Sequence, residues 1–233
     1  MPTLKKVSVT GGTPIHLADA GRSRGASWGP GGAIAFAPRP NSGLFLVSDQ
    51  GGDIKELTTL DQEKKEVTHR WPYFMPNGKA VLFTSNSSTA GTFDEANIEA
   101  VIVATGERKI LHRGGTNPIY SPTGHLLFAN EGPIFAAPFD EDRLEVTGNA
   151  LPMLHDVSMN EEGSAQFAIS DVGVVAYLTG RAAIPEYPVL RVDRTGKAVV
   201  LWGEKGAYGN PRLSPDGKRM SLSVVREGNV DVW

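Results

Sequence analysis

Short apolar runs, each preceded by a turn, recur along the chain. Clear examples occupy residues 80–84, 126–128 and 174–178. Apolar runs of this length between clusters of Gly, Pro, Asn and Asp are typical of β-strands joined by tight turns. The pattern therefore predicts an all-β protein without long helices.

One type of turn precedes the apolar runs at a nearly constant interval. Its fullest copy is Ser214-Pro215-Asp216-Gly217-Lys218-Arg219, in which the proline presets φ and the glycine accepts the positive φ of a tight hairpin. Weaker copies begin at Gly29, Met75, Ser121 and Ser170, so successive copies are 46, 46, 49 and 44 residues apart. Repeats of about 40 to 50 residues with four strands each are typical of β-propeller blades.

This periodicity predicts a β-propeller of about five visible blades, with four complete and two partial units. Residues 1–233 are predicted to form a single propeller domain or a segment of a larger ring. The approximate repeats are 1–18 (partial), 19–60, 66–112, 115–148, 163–202 and 208–233 (partial). Within the second complete repeat, the polar loop over residues 85–94 is the longest and is a candidate surface feature.

Two stretches resemble known families. The turn at residues 214–218, with apolar strands on both sides, resembles the TolB-type propeller repeat, a relative of the WD-repeat blade. Residues 25–38, 43–44, 57–61 and 66–72 resemble the C-terminal repeat region of certain bacterial serine/threonine protein kinases. The resemblance implies a non-catalytic sensor or interaction domain, which in such kinases is usually separated from the kinase by a membrane segment.

Composition and charge narrow the function classes. The formal net charge of −3 argues against a nucleic-acid or anionic-membrane binder, and the absence of cysteine excludes disulfides, thiolate metal sites and a cysteine nucleophile. The N-terminus lacks the apolar core of a signal peptide, and no apolar run approaches the length of a membrane span. We expect a soluble chain, which would be extracytoplasmic if the kinase-sensor resemblance holds.

Catalytic and metal-binding patterns are weak. Ser27 lies in a Gly-x-Ser-x-Gly string, but a strand and a turn follow it instead of the helix that a nucleophile elbow requires. His69-Arg70 is followed by Trp71, where a kinase catalytic loop needs aspartate. The acidic strings at residues 94–95 and 140–142 are expected to be exposed turns rather than cation ligands. The sequence therefore predicts no catalytic residue, no metal site and no cofactor.

The more promising functional feature is geometric. The first strand of each propeller blade lines the central channel, so residues just before these strands should gather around one mouth of the channel. Aligning the turns places donor and aromatic side chains there, suited to a peptide or a small polar ligand. The predicted channel-mouth residues are Arg70, Trp71, Asn117, Gln166, Tyr208, Asn210 and Arg212. The alternative is that these side chains satisfy strand ends and hold channel water.

The sequence predicts a non-catalytic β-propeller module that binds a protein, a peptide or a small polar ligand, as in a kinase sensor region. One alternative is an accessory propeller of a prolyl-oligopeptidase-type hydrolase. Others are a TolB-like periplasmic interaction protein and, less favoured, a free-standing propeller enzyme with channel carboxylates around a metal.

Overall fold

The structure, a computed structural model, describes residues 2–170, 173–180, 187–192, 197–213, 220–226 and 229–232. Contacts between residues divide the chain into two compact units, Met1–Arg181 and Ala182–Trp233. In the described residues, the regular structure is β-strand apart from two short 3₁₀ turns, Pro30–Gly32 and Phe93–Glu95. No helix in this part of the chain is long and apolar enough to cross a membrane.

The first unit consists of successive antiparallel sheets formed by strands that are consecutive in the chain. The first sheet contains two strands, β1 (Thr3–Lys6) and β2 (Ile15–Asp19). The second contains β3 (Ala26–Trp28), β4 (Ala33–Phe36), β5 (Phe45–Ser48) and β6 (Lys55–Glu56). The third contains β7 (Glu66–Phe74), β8 (Ala80–Ser87), β9 (Asn97–Ile102) and β10 (Arg108–Arg113).

The fourth and fifth sheets complete this unit. The fourth contains β11 (Thr116–Ser121), β12 (His125–Ala129), β13 (Ile134–Asp140), β14 (Glu145–Val146) and β15 (Leu151–Leu154). Both β14 and β15 pair with β13, at different positions along it. The fifth sheet contains β16 (Phe167–Ile169) and β17 (Val175–Tyr177).

The second unit contains one four-stranded antiparallel sheet. Its strands are β18 (Tyr187–Val192), β19 (Ala198–Leu213), β20 (Met220–Arg226) and β21 (Asn229–Val232), in that order across the sheet. The predicted repeat 163–202 thus contributes β16 and β17 to a sheet of the first unit, whereas β18 pairs with β19 in the second. Because β19 continues to Leu213, it also includes the beginning of the predicted repeat 208–233. The repeat boundaries remain a prediction.

The predicted turns join the first and second strands of successive sheets. In the turn between β7 and β8, Gly78 has a φ of +72° and its N–H donates to the carbonyl of Met75 at 2.8 Å. Between β11 and β12, Gly124 has a φ of +77° and donates to Ser121 at 2.9 Å. Glycine is suited to both positions because it has no Cβ to clash at positive φ. The fullest copy, at residues 214–219, lies outside the described residues.

The hydrophobic core lies between successive sheets, which accounts for the unbroken apolar runs. In β8, Val81 and Phe83 pack with Leu44 of the second sheet, whereas Leu82 points the other way and packs with Leu126 of the fourth. Alternate residues of a strand point to opposite faces of its sheet. A strand buried on both faces therefore requires apolar residues at consecutive positions, as in this run.

Candidate functional site

A residue with left-handed backbone lies within the first strand, or one to four residues before it, in four successive sheets. Its φ is +99° at Gly25, +52° at Trp71, +55° at Asn117 and +77° at Gly163. Each is 46 residues from the next. The pairing with the second strand shifts register around Trp71 and Asn117, so each of these two residues lies in a β-bulge.

Residues at these four positions or directly before them contact one another. A guanidinium nitrogen of Arg24, Nη2, lies 2.5 Å from Oε1 of Glu162, and Nη1 of Arg70 donates to the Glu162 carbonyl at 3.0 Å. The hydroxyl of Thr116 donates to the carbonyl of Gly163 at 2.9 Å. The four sheets therefore come close to one another at these positions, as the inner strands do around the axis of a propeller.

Of the predicted channel-mouth residues, Arg70 and Trp71 are held by the protein itself. Arg70 is 7% exposed, and its Nη2 donates to the carbonyl of Pro40 at 3.1 Å in addition to the bond with Glu162. The indole Nε1 of Trp71 also donates to the Glu162 carbonyl, at 3.3 Å. Burial lowers the pKa of Arg70 to about 10, so the guanidinium remains charged at neutral pH. The ligand-binding role of both residues remains a prediction.

Asn117 and Gln166 occupy different positions relative to the bulges. Asn117 is the left-handed residue of the fourth sheet, and its backbone N–H donates to the hydroxyl of Thr84 at 2.9 Å. Gln166 is exposed, and its side-chain amide donates to the hydroxyl of Ser164 at 3.2 Å.

The structural equivalent of Asn117 is Gly163, not Gln166 as the turn alignment predicted. Asn117 lies four positions before the turn that begins at Ser121, whereas Gly163 lies seven positions before the turn that begins at Ser170. An alignment on the turns therefore misplaces this segment by three residues.

The other three predicted residues lie in the second unit. Tyr208, Asn210 and Arg212 belong to β19, which shifts register between Gly209 and Arg212. Their side chains lie outside the described part of the structure, so their ligand-binding role remains a prediction.

A cleft of about 920 Å³ lies beside the left-handed Gly163, which is one of its lining residues. Its walls come from the loop between β8 and β9, the turn between β12 and β13, and the segment before β16, with one residue each from β8 and the stretch after β17. The lining residues are Asn86, Gly91, Thr92, Phe93, Asp94, Glu131, Gly132, Asp156, Val157, Met159, Asn160, Glu161, Gly163 and Gly180. Asn86 also borders a smaller cavity of about 250 Å³.

The loop that forms one wall is fixed by local and long-range hydrogen bonds. The hydroxyl of Thr92 accepts from the N–H of Asp94 at 3.2 Å, which caps the 3₁₀ turn. The Asp94 carboxylate accepts from the N–H of Glu131 at 2.7 Å, and its carbonyl accepts from Gly115 at 2.9 Å. These bonds attach the loop to the fourth sheet, so the shape of this wall is set by the fold.

Phe93 lines the cleft and also contacts Arg70 and Gly163, which belong to the group of contacting residues described above. The guanidinium carbon of Arg70 lies 4.4 Å from the centre of the Phe93 ring, within the range of a cation–π contact. Phe93 also lies very close to Gly163: a Cβ added to Gly163 would lie 2.6 Å from the Cγ of Phe93. Gly163 is thus suited to its place both by its φ and by this close approach.

The cleft is acidic. Four of its lining residues carry carboxylates: Asp94, Glu131, Asp156 and Glu161. None of the lining residues is Lys, Arg or His. The sequence marks Asp94 and its loop as a polar surface feature, but it does not single out the segment over residues 156–163. The sequence signal in that segment is the polar string Asn160-Glu161-Glu162-Gly163, which does not differ from the strings of many ordinary exposed turns.

A second polar cluster is buried between the second and third sheets. His69 is fully buried; its Nδ1 lies 2.8 Å from the hydroxyl of Thr58, and its Nε2 lies 3.0 Å from the carboxylate of Glu66. The same hydroxyl accepts from the backbone N–H of Leu44 at 2.8 Å. These bonds are all satisfied when His69 is neutral and carries its proton on Nε2, because Thr58 then donates to Nδ1 and His69 donates to Glu66.

Arg108 neutralises the carboxylates of this cluster. It donates two hydrogen bonds to Glu66, at 2.6 and 3.0 Å, and also bonds Glu99 at 2.9 Å. Burial by itself would raise the pKa of Glu66, but hydrogen bonds from His69 and Arg108 outweigh it and hold that pKa well below its usual range. Burial lowers the pKa of His69 below its usual value, against the opposing effect of Glu66. The cluster connects two sheets and is structural.

The serine of the nucleophile-elbow string has a structural role, and the acidic strings do not come together as a metal site in the described residues. The hydroxyl of Ser27 accepts from the N–H of Phe74 at 2.8 Å, which joins the second and third sheets. Within the described ranges, no three His, Asp or Glu side chains come together as metal ligands.

No family model matches the chain, and no curated protein matches it. Solved structures do. TolB from Acinetobacter baumannii superposes with a TM-score of 0.57 and 18% identity over 99% of this chain and 56% of that one. Regucalcin, a calcium-binding protein from Agrobacterium tumefaciens, superposes with a TM-score of 0.55 and 16% identity over 97% of this chain and 75% of that one.

The chain therefore spans little more than half the length of that TolB. Identities this low are evidence for a shared fold and carry nothing about activity or ligand. Together with the successive antiparallel sheets, they confirm the predicted fold class: the chain is an all-β protein with the β-propeller fold of TolB-like proteins.

Proposed function

We propose that the chain is a non-catalytic β-propeller interaction module whose first unit binds a peptide segment or a small polar ligand in the 920 Å³ cleft. The observation that carries the proposal is the position of this cleft beside the converging first strands. Loops at such a place can vary without disturbing the sheets that hold them. Its volume is within the usual range of ligand sites, about 300–1,000 Å³.

The chemistry of the lining residues favours binding over catalysis. They include no Ser, Cys, His or Lys, so the cleft has no pair of a hydroxyl or thiol nucleophile with an imidazole or amine base. The one hydroxyl among them, on Thr92, accepts a hydrogen bond from the backbone. Ser27 and His69 lie elsewhere and already have protein partners.

Two cellular contexts are consistent with such a module. The resemblance of residues 25–72 to the repeat region of bacterial serine/threonine kinases favours a sensor domain. The structural likeness to TolB favours an interaction protein. Either context would place the module outside the cytoplasm.

A steric block tests the cleft. Peptides selected from a random display library against the full chain are measured for binding to the chain and to the variant Gly91→Trp. Gly91 is exposed, does not have positive φ, and a Cβ there would meet only the Glu95 carboxylate, at 3.8 Å. The new indole would therefore occupy the cleft without straining the backbone. We expect the selected peptides to lose at least about tenfold in affinity, or about 1.4 kcal/mol.

The matched control is Gly21→Trp. Gly21 is also exposed, also without positive φ, and has no atom within 4 Å of an added Cβ. Binding should be unchanged in this variant. Selected peptides that bind the Gly91→Trp and Gly21→Trp variants equally well would refute the cleft as the binding site.

A further inference from the structure

We propose that the cleft recognises a basic peptide segment, with a Lys or Arg side chain placed among its carboxylates. This inference deepens the proposed function and rests on it. Its first basis is charge: four carboxylates and no basic group line the cleft. A concave site of one sign raises the local concentration of ligands of the opposite sign.

The carboxylates are available to a ligand. The side chains of Glu131, Asp156 and Glu161 form no hydrogen bond or ion pair with any other described residue. Asp94 accepts a backbone N–H through Oδ1 only. The acidic residue beside them, Glu162, is in contrast already paired with Arg24.

The nearby arginines are committed to other partners. Arg70 donates to the backbone carbonyls of Pro40 and Glu162 and lies against Phe93. Arg24 pairs with the Glu162 carboxylate. Arg24 therefore neutralises Glu162, and no described Arg or Lys side chain pairs with the exposed carboxylates of Glu131, Asp156 and Glu161.

A buried amide supplies a second, independent indication of a ligand. Asn86 is 8% exposed and lines the cleft. Its Oδ1 accepts from the N–H of Ser87 at 2.9 Å, which fixes the orientation of the amide. Its Nδ2 has no hydrogen-bond partner among the described residues. Such a donor is suited to a carbonyl oxygen, which a peptide backbone provides and a simple cation does not.

The arrangement favours a peptide over a bound metal ion. The structure brings together no three acidic or His side chains as metal ligands within the described residues. The cleft is also far larger than one ion requires. Carboxylates spread over a polar cleft can contact an extended cation such as a guanidinium, which presents several donors in a plane.

The test compares three fluorescein-labelled nonapeptides by fluorescence anisotropy with the full chain. Each contains glycine and serine and three residues of one kind: Arg, Gln or Glu. We expect the Arg peptide to bind at least about tenfold more tightly than the Gln peptide at low salt, and the Glu peptide more weakly than either. The advantage of the Arg peptide should shrink between about 50 mM and about 200 mM salt.

A charge-neutralising variant locates the effect. In Asp156→Asn plus Glu161→Gln, the affinity for the Arg peptide should fall about fivefold or more, since a contact pair in water contributes about 1 kcal/mol. Asn also tolerates the φ of +56° at position 156. The control, Asp53→Asn plus Glu107→Gln, makes the same charge change at exposed positions that do not line the cleft.

The outcomes separate the two proposals. If the Arg peptide binds no better than the Gln peptide, or equally well to the two double variants, the inferred basic ligand is wrong. A neutral peptide that binds and is excluded by Gly91→Trp would leave the cleft as the binding site and refute only its preference for cations. An Arg peptide that binds the Gly91→Trp variant normally would refute the proposed site itself.

Discussion

The hydroxyl of Thr58 makes a sharp test of the buried polar cluster. Thr58 is 3% exposed, and its hydroxyl forms two hydrogen bonds: it accepts from the N–H of Leu44 and donates to Nδ1 of His69. Thr58→Val replaces the hydroxyl by a methyl group of similar size. The substitution therefore removes both hydrogen bonds without creating a cavity.

The magnitude follows from the two groups left without partners. The N–H of Leu44 forms its hydrogen bond with this hydroxyl, and both Leu44 and His69 are fully buried, so water cannot replace the lost partner. A buried polar group without a partner costs about 1–3 kcal/mol. For two such groups, we expect Thr58→Val to lower the free energy of unfolding by about 2–6 kcal/mol, a large fraction of the roughly 5–15 kcal/mol of a typical domain.

The assay is urea denaturation followed by circular dichroism, with Thr58→Ser as the control. Serine keeps the hydroxyl and loses one methyl group, so its cost should be about 1 kcal/mol. A Thr58→Val variant within about 0.5 kcal/mol of the original chain would refute the reasoning. So would a Thr58→Ser variant that is as unstable as Thr58→Val.

Two further predictions concern acid and a glycine. Because the folded state lowers the pKa of His69 below the ordinary 6.5, the unfolded chain takes up a proton first, and stability should fall as the pH drops below about 6.5. The lowered pKa of Glu66 should add a further loss below about pH 4.5. Urea denaturation at pH 8, 6 and 5 should show a smaller loss above pH 5 in His69→Gln; an equal loss would contradict this assignment. Gly163→Ala should cost more than Gly106→Ala by at least about 1 kcal/mol, because both have similar positive φ but only the first places a Cβ against Phe93. If urea denaturation gives equal losses of unfolding free energy for the two variants, the Phe93 ring moves aside without cost and the reasoning is wrong.

The turns and strands could be predicted because their causes are local. In the turn that contains Gly78, the backbone bond to Met75 and the bond from Lys79 N–H to the Asn77 side chain join residues close in sequence. The apolar run of β8 likewise reflects burial on both faces, which requires no knowledge of the partner sheets. Repetition of these local signals at intervals of 44 to 49 residues was sufficient to predict the propeller.

The candidate site could not be predicted in the same way. The guanidinium of Arg70 donates to the carbonyls of Pro40 and Glu162, which are 30 and 92 residues away, and the sequence does not indicate these partners. Gln166 was misaligned because three additional residues separate the left-handed Gly163 from its turn. Neither outcome has a signature in neighbouring residues.

By itself, the sequence determined that this protein is built from successive β-sheets joined by tight turns, because turn geometry and strand burial depend on residues next to one another. Only the tertiary structure decided which polar side chains are available for binding. Asp94, Glu131 and Glu161 come from loops of different sheets, and their placement around one cleft depends on packing between those sheets. The availability of a carboxylate or an arginine is set by partners that are distant in sequence, and the folded chain alone brings those partners together.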